Sequence, residues 1–524
     1  MPFKQSFAVL IIIAAGLLSG RSFAQRKHKQ AAVKIVNFDK DGKQVTRFST
    51  VGDAIDAHDG EIAWFEGKYY LYGTSYDCGF EWGNPTAPFC GFKSYSSTDL
   101  VNWTDEGPLF DAKTAVWQTR CDGSTYGCFR PHVIYNKKTR LYVLWINVYD
   151  NVSGYRVFTS SKPMGPFTEV AEPKLGVNRD APAKGLNNGD HDTFVDDDGI
   201  AYLAYTDWRS GGSIVIEQLS NDYLTGSGHL VKGITKGNTE APALFKRNGI
   251  YYLTYSDPNC GYCSGTGTSY RTAKSPLGPW SEGKKISDNS CGGQPSFVST
   301  IKMNTGNIYL YGSDLWNNAA KNEALANYFW APLTFNEDGS IKPIICNSDY
   351  TVQAIFQKHP QVSEPYHVLC DVAGSIQHAQ PFKVSHSGIL KVLKINAFKT
   401  GHPDSCLIIA VCKSGQAAGS ISQVLYTDSI PEKNIGWSAR QLMLFPNVQL
   451  VKGATYFIVI KSTTKQGCYG LIYKPGHQTQ NQLLISKDNG VSFNKQNETL
   501  KFSLSLSGYL INGLNHSAHK RISK

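Results

Sequence analysis

The amino-acid sequence predicts an all-β protein: a five-bladed β-propeller followed by a C-terminal β-sandwich of jelly-roll type. Three observations lead to this fold class. A tyrosine-rich motif recurs five times, a turn sequence precedes each copy, and alternating strands take over near residue 370. Blades of four strands around a central channel are the usual architecture for β-rich repeats of this size. The length of 524 residues leaves room for both domains.

The repeated motif is a short strand-like run with a tyrosine near its centre. Turn sequences such as Glu66-Gly67-Lys68 and Arg247-Asn248-Gly249 come just before each run, so each copy predicts a β-hairpin. A long β-sandwich with chance similarity between hairpins is the alternative, but it does not explain why turn and tyrosine recur together. We therefore predict a propeller over residues 35–350. The tyrosines, spaced by 50 to 72 residues, are Tyr70, Tyr142, Tyr202, Tyr252 and Tyr309.

The predicted sandwich covers residues 366–510. Its segments alternate apolar and polar side chains, as in residues 379–384 and 455–460, and Gly, Ser and Pro turns separate them. This pattern is typical of antiparallel strands with one buried face.

Residues 1–24 have the layout of a secretory signal peptide. An unbroken apolar run over residues 7–18 follows Lys4, and Ser22-Phe23-Ala24 supplies a small-residue cleavage site. The run is shorter than the roughly 20 residues that cross a bilayer, so a membrane anchor is the weaker alternative. We expect a secreted, extracellular or periplasmic protein without a membrane contact.

The cysteine content agrees with an oxidising compartment. The chain has 12 cysteines, and thiols pair outside the cytosol. We predict disulfides that close short loops, with zinc or redox chemistry at Cys260-Gly261-Tyr262-Cys263 as the alternative. The predicted pairs are Cys78 with Cys90, Cys121 with Cys128, and two among Cys260, Cys263 and Cys291.

The charge of the chain argues against a nucleic-acid partner. The formal net charge is +10, and removal of Lys4 and Arg21 with the signal leaves 50 basic against 42 acidic residues, or +8. These charges are spread thinly and form no basic stripe. We expect a monomer.

Three carboxylates occupy matching positions in three repeats. Asp59, Asp190 and Glu240 each lie about ten to thirteen residues before the tyrosines of the first, third and fourth repeats. The inner strand of every blade points its leading end at the channel mouth, so these residues are expected to meet in one pocket. Each acid taken alone is equally well explained as an ordinary loop residue. Because all three occupy equivalent positions in their repeats, we predict that they form a functional site.

The contexts of these three acids resemble the acidic motifs of glycoside hydrolase family 43, over residues 50–345. In that family the first aspartate is the general base, the glutamate is the general acid, and the middle aspartate tunes and positions the acid. The resemblance implies these roles for Asp59, Glu240 and Asp190, respectively, and hence an inverting glycoside hydrolase of secreted type. Inverting hydrolysis needs a base and a protonated acid about 6.5–9.5 Å apart, and a neighbouring carboxylate would raise the pKa of the acid.

The sequence also departs from the family pattern. Gly60 follows Asp59 where the family usually has proline, and residues 293–296 and 312–316 are more similar to the exo-β-1,3-galactanase branch. That branch lacks the aspartate base and relies on a glutamine that matches Gln294. It also carries a Glu-Arg-Pro sequence where this chain has Phe129-Arg130-Pro131. The resemblance therefore implies an oligo- or polysaccharide substrate, an arabinofuranoside, xyloside or galactoside, without choosing among them.

We predict further contacts to the substrate, with ordinary packing or loop positions as the alternative for each. No cofactor is expected, and no residue offers itself as a clear ligand for a structural calcium ion. A carbohydrate-binding propeller without catalysis is the alternative function, and a propeller lyase or transferase is another. The sandwich domain would either bind glycan or brace the propeller. The predicted substrate contacts are His58, Arg130, His191, Gln294 and Trp316.

Overall fold

The computed structural model confirms the predicted fold class. The predicted signal peptide, residues 1–24, lies outside the described residues, as do Cys260 and Cys263. Within the described part of the chain, no helix has the length and apolar character needed to cross a membrane. The structure describes residues 32–81, 84, 86–121, 127–148, 154–178, 188–257, 264–303, 306–316, 322–353, 361–362, 365–415, 420–476, 481–507 and 509–512.

Five antiparallel sheets follow one another along the chain and form the blades. Blade 1 contains β2 His58–Phe65, β3 Lys68–Thr74, β4 Phe92–Ser97 and β5 Thr104–Pro108. Blade 2 contains β6 Cys128–Asn136, β7 Leu141–Val148, β8 Tyr155–Ser160 and β9 Thr168–Ala171. Blade 3 contains β10 Asn188–Val195, β11 Ala201–Asp207, β12 Ser213–Leu219 and β13 Gly226–Val231. Blade 4 contains β14 Glu240–Arg247, β15 Ile250–Ser256, β16 Thr268–Ala273 and β17 Lys284–Ser287. Blade 5 contains β18 Gln294–Met303, β19 Gly306–Leu315 and β20 Asn327–Pro332.

The repeated tyrosines pack between neighbouring blades. Tyr70 and Tyr142 are 2% and 4% exposed and belong to one apolar cluster that joins blades 1 and 2. Tyr252 fills the equivalent space beside blade 5, together with Tyr311. Aromatic side chains remove large apolar areas from water when they are buried. Each Å² of that area stabilises the folded state by on the order of 25 cal/mol. This packing explains why the motif recurs in every blade.

A short sheet closes the ring between the first and last blades. The strand β1 Ala32–Val36 pairs antiparallel with β21 Asp349–Gln353 and parallel with β22 Gln361–Val362. Val33 and Ile35 of β1 pack with residues of blades 1 and 5. The two ends of the propeller sequence are therefore held together at this point.

The C-terminal domain is a sandwich of two sheets around one apolar core. One sheet contains β23 His367–Val372, β25 Gly388–Thr400, β28 Arg440–Leu444, β29 Val448–Leu450, β31 Cys468–Pro475, β34 Glu498–Leu500, β35 Phe502–Leu506 and β36 Tyr509–Asn512. The other contains β24 Gln377–Lys383, β26 Leu407–Ser414, β27 Ile421–Ile430, β30 Thr455–Lys461, β32 Leu484–Ser486 and β33 Asn494–Lys495. Short helical turns occur at Trp117–Cys121, Gly176–Asn178, Trp208–Ser210, Glu323–Leu325 and Glu432–Asn434.

Two of the predicted disulfides are present, Cys78–Cys90 and Cys121–Cys128. Of the three cysteines among which we predicted one pair, Cys291 is bonded to Cys346, and Cys260 and Cys263 lie outside the described residues. A further disulfide that the sequence did not predict, Cys370–Cys468, joins β23 to β31. Among the described residues, Cys406 and Cys412 are free thiols.

Candidate active site

Each inner strand of the propeller carries a β-bulge at its leading end. The pairing of β2 with β3 shifts between His58 and Glu61, and the inner strands of the other four blades shift at the equivalent place. A bulge re-aims the side chains next to it. At these bulges, Asp59, Arg130 and Ala241 adopt left-handed backbone conformations with φ of 56°, 56° and 48°. The strain lies where the predicted site residues meet the channel mouth.

Gly60, where the family usually has proline, is required by this geometry. A Cβ atom at residue 60 would lie 2.3 Å from the carbonyl oxygen of Tyr72 and 3.0 Å from that of Pro131. No residue with a side chain fits there without a shift of the backbone. The departure from the family pattern is thus a packing requirement of the bulge in this chain.

The carboxylate of Asp59 is almost completely buried and accepts three hydrogen bonds. Thr74 Oγ1 and the Arg130 backbone nitrogen donate to Oδ1 at 2.7 and 3.1 Å, and the Tyr76 hydroxyl donates to Oδ2 at 2.7 Å. Burial raises the pKa of Asp59 to about 6, against the opposing effects of the Arg130 charge and of these donors. Asp59 is therefore an anion near neutral pH, held in a fixed orientation.

Asp190 and Arg130 form a buried ion pair next to Glu240. Arg130 Nη2 lies 2.8 Å from Oδ2 of Asp190, and the same oxygen accepts a hydrogen bond of 3.1 Å from the backbone nitrogen of Ala241. Asp190 thus contacts the residue that follows Glu240 in the chain. Arg130 also donates through Nη1 to the carbonyl oxygens of Pro295 and Ser296, so it ties blades 2, 3 and 5 together.

Glu240 stands at the start of β14 and is only partly buried. Its Oε2 accepts a hydrogen bond of 3.1 Å from Nε2 of Gln294. Burial and then the nearby charge of Asp190 raise the pKa of Glu240 to about 7, while Arg130 and the Gln294 hydrogen bond lower it. The carboxyl of Glu240 is therefore largely protonated below neutral pH, as a proton donor must be.

The prediction that His58 contacts substrate is wrong. The side chain has no exposed surface, and its ring stacks between Tyr76 and Tyr328 at centroid distances of 5.4 and 5.2 Å. Its two ring nitrogens lie 3.4 Å from Asp56 and 3.7 Å from Asp314. Burial lowers the pKa of His58, but the two carboxylates outweigh it and raise that pKa to about 9. His58 is a buried cation beneath the site.

Three other predicted contacts also lie below the surface. His191 has no exposed area, and burial with the charges of His132 and Arg130 lowers its pKa well below the usual value. Arg130 is 3% exposed, and its guanidinium donates hydrogen bonds to Asp190 and to the Pro295 and Ser296 carbonyl oxygens inside the protein. Trp316 is 6% exposed and packs against Tyr76 and His58. These side chains support the pocket, and of the predicted contacts only Gln294 retains an accessible surface of intermediate size.

A second cluster of polar groups joins the inner strands of blades 1, 2 and 3, and the sequence did not predict it. Ligand atoms of Glu61, His132 and Asp192 lie within 4.8 Å of one another, and His132 Nδ1 is 3.0 Å from Asp192 Oδ1. The other oxygens accept backbone hydrogen bonds from Val133 and Leu244, both at 2.6 Å. Calcium takes six to eight oxygen ligands, and this set supplies two carboxylates and an imidazole. In the structure these three side chains contact one another as an internal ion-pair cluster.

The hydrogen-bond donors around Asp59 were also missed, although one signal was available. The turn at Glu66-Gly67 fixes the register of the first hairpin, and the structure pairs His58 with Thr74 across it. The neighbouring Asp59 therefore faces the end of β3, where Thr74 and Tyr76 follow the tyrosine run. Asp314, whose Oδ2 accepts a hydrogen bond of 3.0 Å from the Asp59 backbone nitrogen, comes from blade 5 and carried no such signal.

A five-bladed propeller that brings a buried and a partly buried carboxyl group in different surroundings to the leading ends of its inner strands has the layout of a hydrolase acting on glycosidic bonds. The family model of glycosyl hydrolases family 43 matches residues 53–297. A β-D-galactofuranosidase of Aspergillus niger is 28% identical over 298 residues, which are 55% of this chain and 82% of that protein. An extracellular endo-α-(1→5)-L-arabinanase of Bacillus subtilis is 27% identical over 203 residues, 36% of this chain and 59% of that protein.

Among solved structures, an exo-β-1,3-galactanase from Clostridium thermocellum superposes with a TM-score of 0.52 at 24% identity, over 68% of this chain and 73% of that chain. This likeness supports the fold. Residues 53–297 of the propeller thus match glycosyl hydrolases family 43, and the protein is a glycoside hydrolase.

Proposed function

We propose that this protein is a secreted, monomeric and inverting glycoside hydrolase in which Asp59 is the general base and Glu240 the general acid. The observation that carries the proposal is the difference between the two carboxyl groups. Asp59 accepts three hydrogen bonds, which favour its ionised form, whereas burial and the charge of Asp190 raise the pKa of Glu240 and favour its protonated form. These surroundings favour an ionised Asp59 and a protonated Glu240, which is the state that an inverting mechanism requires.

The proposed reaction is a single displacement. Glu240 donates its proton to the glycosidic oxygen as the bond from that oxygen to the anomeric carbon breaks. A water molecule attacks the anomeric carbon from the opposite side, and Asp59 takes one of its protons. The products are a hemiacetal of inverted configuration and a free hydroxyl on the leaving group, so atoms and charges balance.

Asp190 and Gln294 have supporting roles in this scheme. The negative charge of Asp190 keeps the proton on Glu240 and, through the Ala241 nitrogen, fixes the start of β14. Gln294 donates to Oε2 of Glu240, which leaves Oε1 to carry the proton towards the substrate. A glutamine at residue 294 therefore acts on the acid in our scheme, while the base remains Asp59.

For the substrate we propose a galactoside, arabinofuranoside or xyloside of an oligo- or polysaccharide. Two relatives support a galactoside or an arabinoside, since one is named a β-D-galactofuranosidase and the other an endo-α-(1→5)-L-arabinanase. The disulfides of the described residues support an extracellular location.

A panel of aryl glycosides and plant polysaccharides tests the proposal, with wild type, Asp59→Asn and Glu240→Gln assayed side by side. We expect hydrolysis of at least one substrate by the wild type. Glu240→Gln should retain most of its rate on aryl glycosides with a good leaving group and lose it on alkyl glycosides, because only the latter need a proton donor. Asp59→Asn should lose activity on both. Binding of a glycan without hydrolysis by the wild type would instead support the carbohydrate-binding alternative.

A further inference from the structure

A segment of the sandwich domain docks on the propeller loop that follows β3. The backbone nitrogen of Trp437 donates to the carbonyl oxygen of Asp77 at 3.2 Å. The backbone nitrogen of Ser438 donates to Oδ1 of Asp77 at 2.6 Å, and Arg440 forms an ion pair with the same carboxylate. Asp77 is the residue directly after Tyr76, so the second domain holds the loop that carries the hydroxyl donor of Asp59.

The Trp437 side chain enters an apolar cluster that is otherwise built by the propeller. It is 4% exposed and packs in one group with Tyr76, Phe80, Phe129 and Trp316. A Cβ atom at Gly79 would lie 2.7 Å from Nε1 of Trp437, so the indole closes tightly on this loop. The sandwich thus supplies one wall of the space in which Tyr76 lies.

The position of the Tyr76 ring determines its hydrogen bond to Asp59. A tyrosine side chain has two rotatable torsions before its rigid ring, so a displaced ring displaces the hydroxyl with it. The Tyr76 ring contacts His58 at 5.4 Å and Trp316 at 5.9 Å between centroids. Trp437 packs in the same cluster as Tyr76, and the sandwich residue Ser438 holds the neighbouring Asp77. The ring is therefore fixed, and its hydroxyl stays 2.7 Å from Oδ2 of Asp59.

We propose that Trp437 is a positioning residue for the active site, which acts through Tyr76 on Asp59, and that the β-sandwich is an integral part of the catalytic unit. This inference rests on the proposed role of Asp59 as the base. The Tyr76 hydroxyl donates to the ionised carboxylate and so favours that form. A sandwich that holds Tyr76 in place therefore sets the lower edge of the pH range in which the enzyme works.

The test is the pH dependence of kcat/KM in full-length variants, with thermal unfolding measured in parallel. Tyr76→Phe should move the acidic limb upward by on the order of one pH unit, since it removes one charge-assisted hydrogen bond. Trp437→Ala should move the same limb in the same direction, and the double variant should move it no further than Tyr76→Phe alone. Trp437→Phe should restore most of the wild-type limb.

Trp280→Ala is the matched control, because Trp280 packs against a different apolar cluster of the propeller, formed with Leu244 and Tyr255. It should lower the melting temperature and leave the acidic limb in place. If Trp437→Ala does not yield folded protein, Trp437→Leu takes its place. A wild-type acidic limb in the Trp437 variants, or additive shifts in the double variant, overturns the positioning role.

Asp59→Asn, measured in the same series, separates the two possible failures. If Asp59→Asn keeps the wild-type rate, the proposed function is wrong whatever Trp437 does. If Asp59→Asn is inactive and the acidic limb of Trp437→Ala coincides with that of the wild type, the proposed function stands and the positioning role alone fails.

Discussion

Gln294 donates a hydrogen bond of 3.1 Å from Nε2 to Oε2 of Glu240. Gln294 therefore contacts the proposed acid, whereas the Asp59 carboxylate accepts hydrogen bonds from Thr74, Tyr76 and the Arg130 backbone. The sequence resembles two kinds of family 43 enzyme. One kind uses an aspartate as the base, and the other, the exo-β-1,3-galactanase branch, relies on the glutamine. The observed contact favours the first arrangement, because Gln294 already serves Glu240 and an amide cannot take a proton from water.

Asp59→Asn is expected to lower kcat by on the order of 10²–10⁴-fold, since it removes the group that accepts the proton. Gln294→Ala should cost much less. Steady-state rates of the two variants on the best substrate compare them directly, with circular dichroism to confirm the fold of each. A Gln294 variant that is much slower than the Asp59 variant would assign the glutamine to the water instead.

Gln294→Ala should also change the pH profile in a specific direction. The hydrogen bond from Gln294 lowers the pKa of Glu240 by favouring its ionised form. Its loss should therefore raise that pKa and shift the alkaline limb of kcat/KM upward. An alkaline limb that stays in place or moves down would mean that Gln294 does not act on the acid in solution.

The wild-type profile of kcat/KM against pH is expected to be a narrow bell. Activity should rise as Asp59 loses its proton near pH 6 and fall as Glu240 loses its proton near pH 7. Asp190→Asn should shift the alkaline limb of this profile to lower pH, because it removes the negative charge that raises the pKa of Glu240. A profile that is flat from pH 5 to pH 8 contradicts the assignment of both groups.

The same pKa shift of Glu240 should appear in protein stability. The folded-state pKa of about 7 lies above the ordinary value of 4.5, so the folded protein binds this proton more tightly than the unfolded chain does. The associated stabilisation is complete at low pH and is lost as pH rises towards about 7. The melting temperature of the wild type should consequently fall more between pH 5 and pH 8 than that of Glu240→Gln. Parallel curves would show that Glu240 titrates normally.

The sequence predicted the architecture because the propeller repeats itself. Each blade needs the same turn and the same interblade aromatic, so Tyr70 and Tyr252 could be recognised without a structure. Asp59, Asp190 and Glu240 were recognised for a related reason, since equivalent places in different blades converge on one channel. Their proposed roles stay predictions until the variants are measured.

Other parts of the site depend on contacts that no repeat encodes. His58 and His191 occupy loop-like positions in the sequence, yet the bulges turn both rings inward, where they have no exposed area. Trp437 lies in another domain, 361 residues after Tyr76, and its place in the cluster follows from how the two domains dock. Burial and docking are decided by tertiary packing, so a local pattern could not distinguish a substrate contact from a supporting side chain.

The configuration of the first product is the most direct test of the central claim, that Asp59 activates water while Glu240 protonates the leaving group. Proton NMR spectra recorded in the first minutes of hydrolysis distinguish the anomers of the released sugar before mutarotation mixes them. A single displacement by water predicts a product of inverted anomeric configuration. A product of retained configuration would contradict the account, because it requires a carboxylate that bonds to the sugar in place of one that deprotonates water.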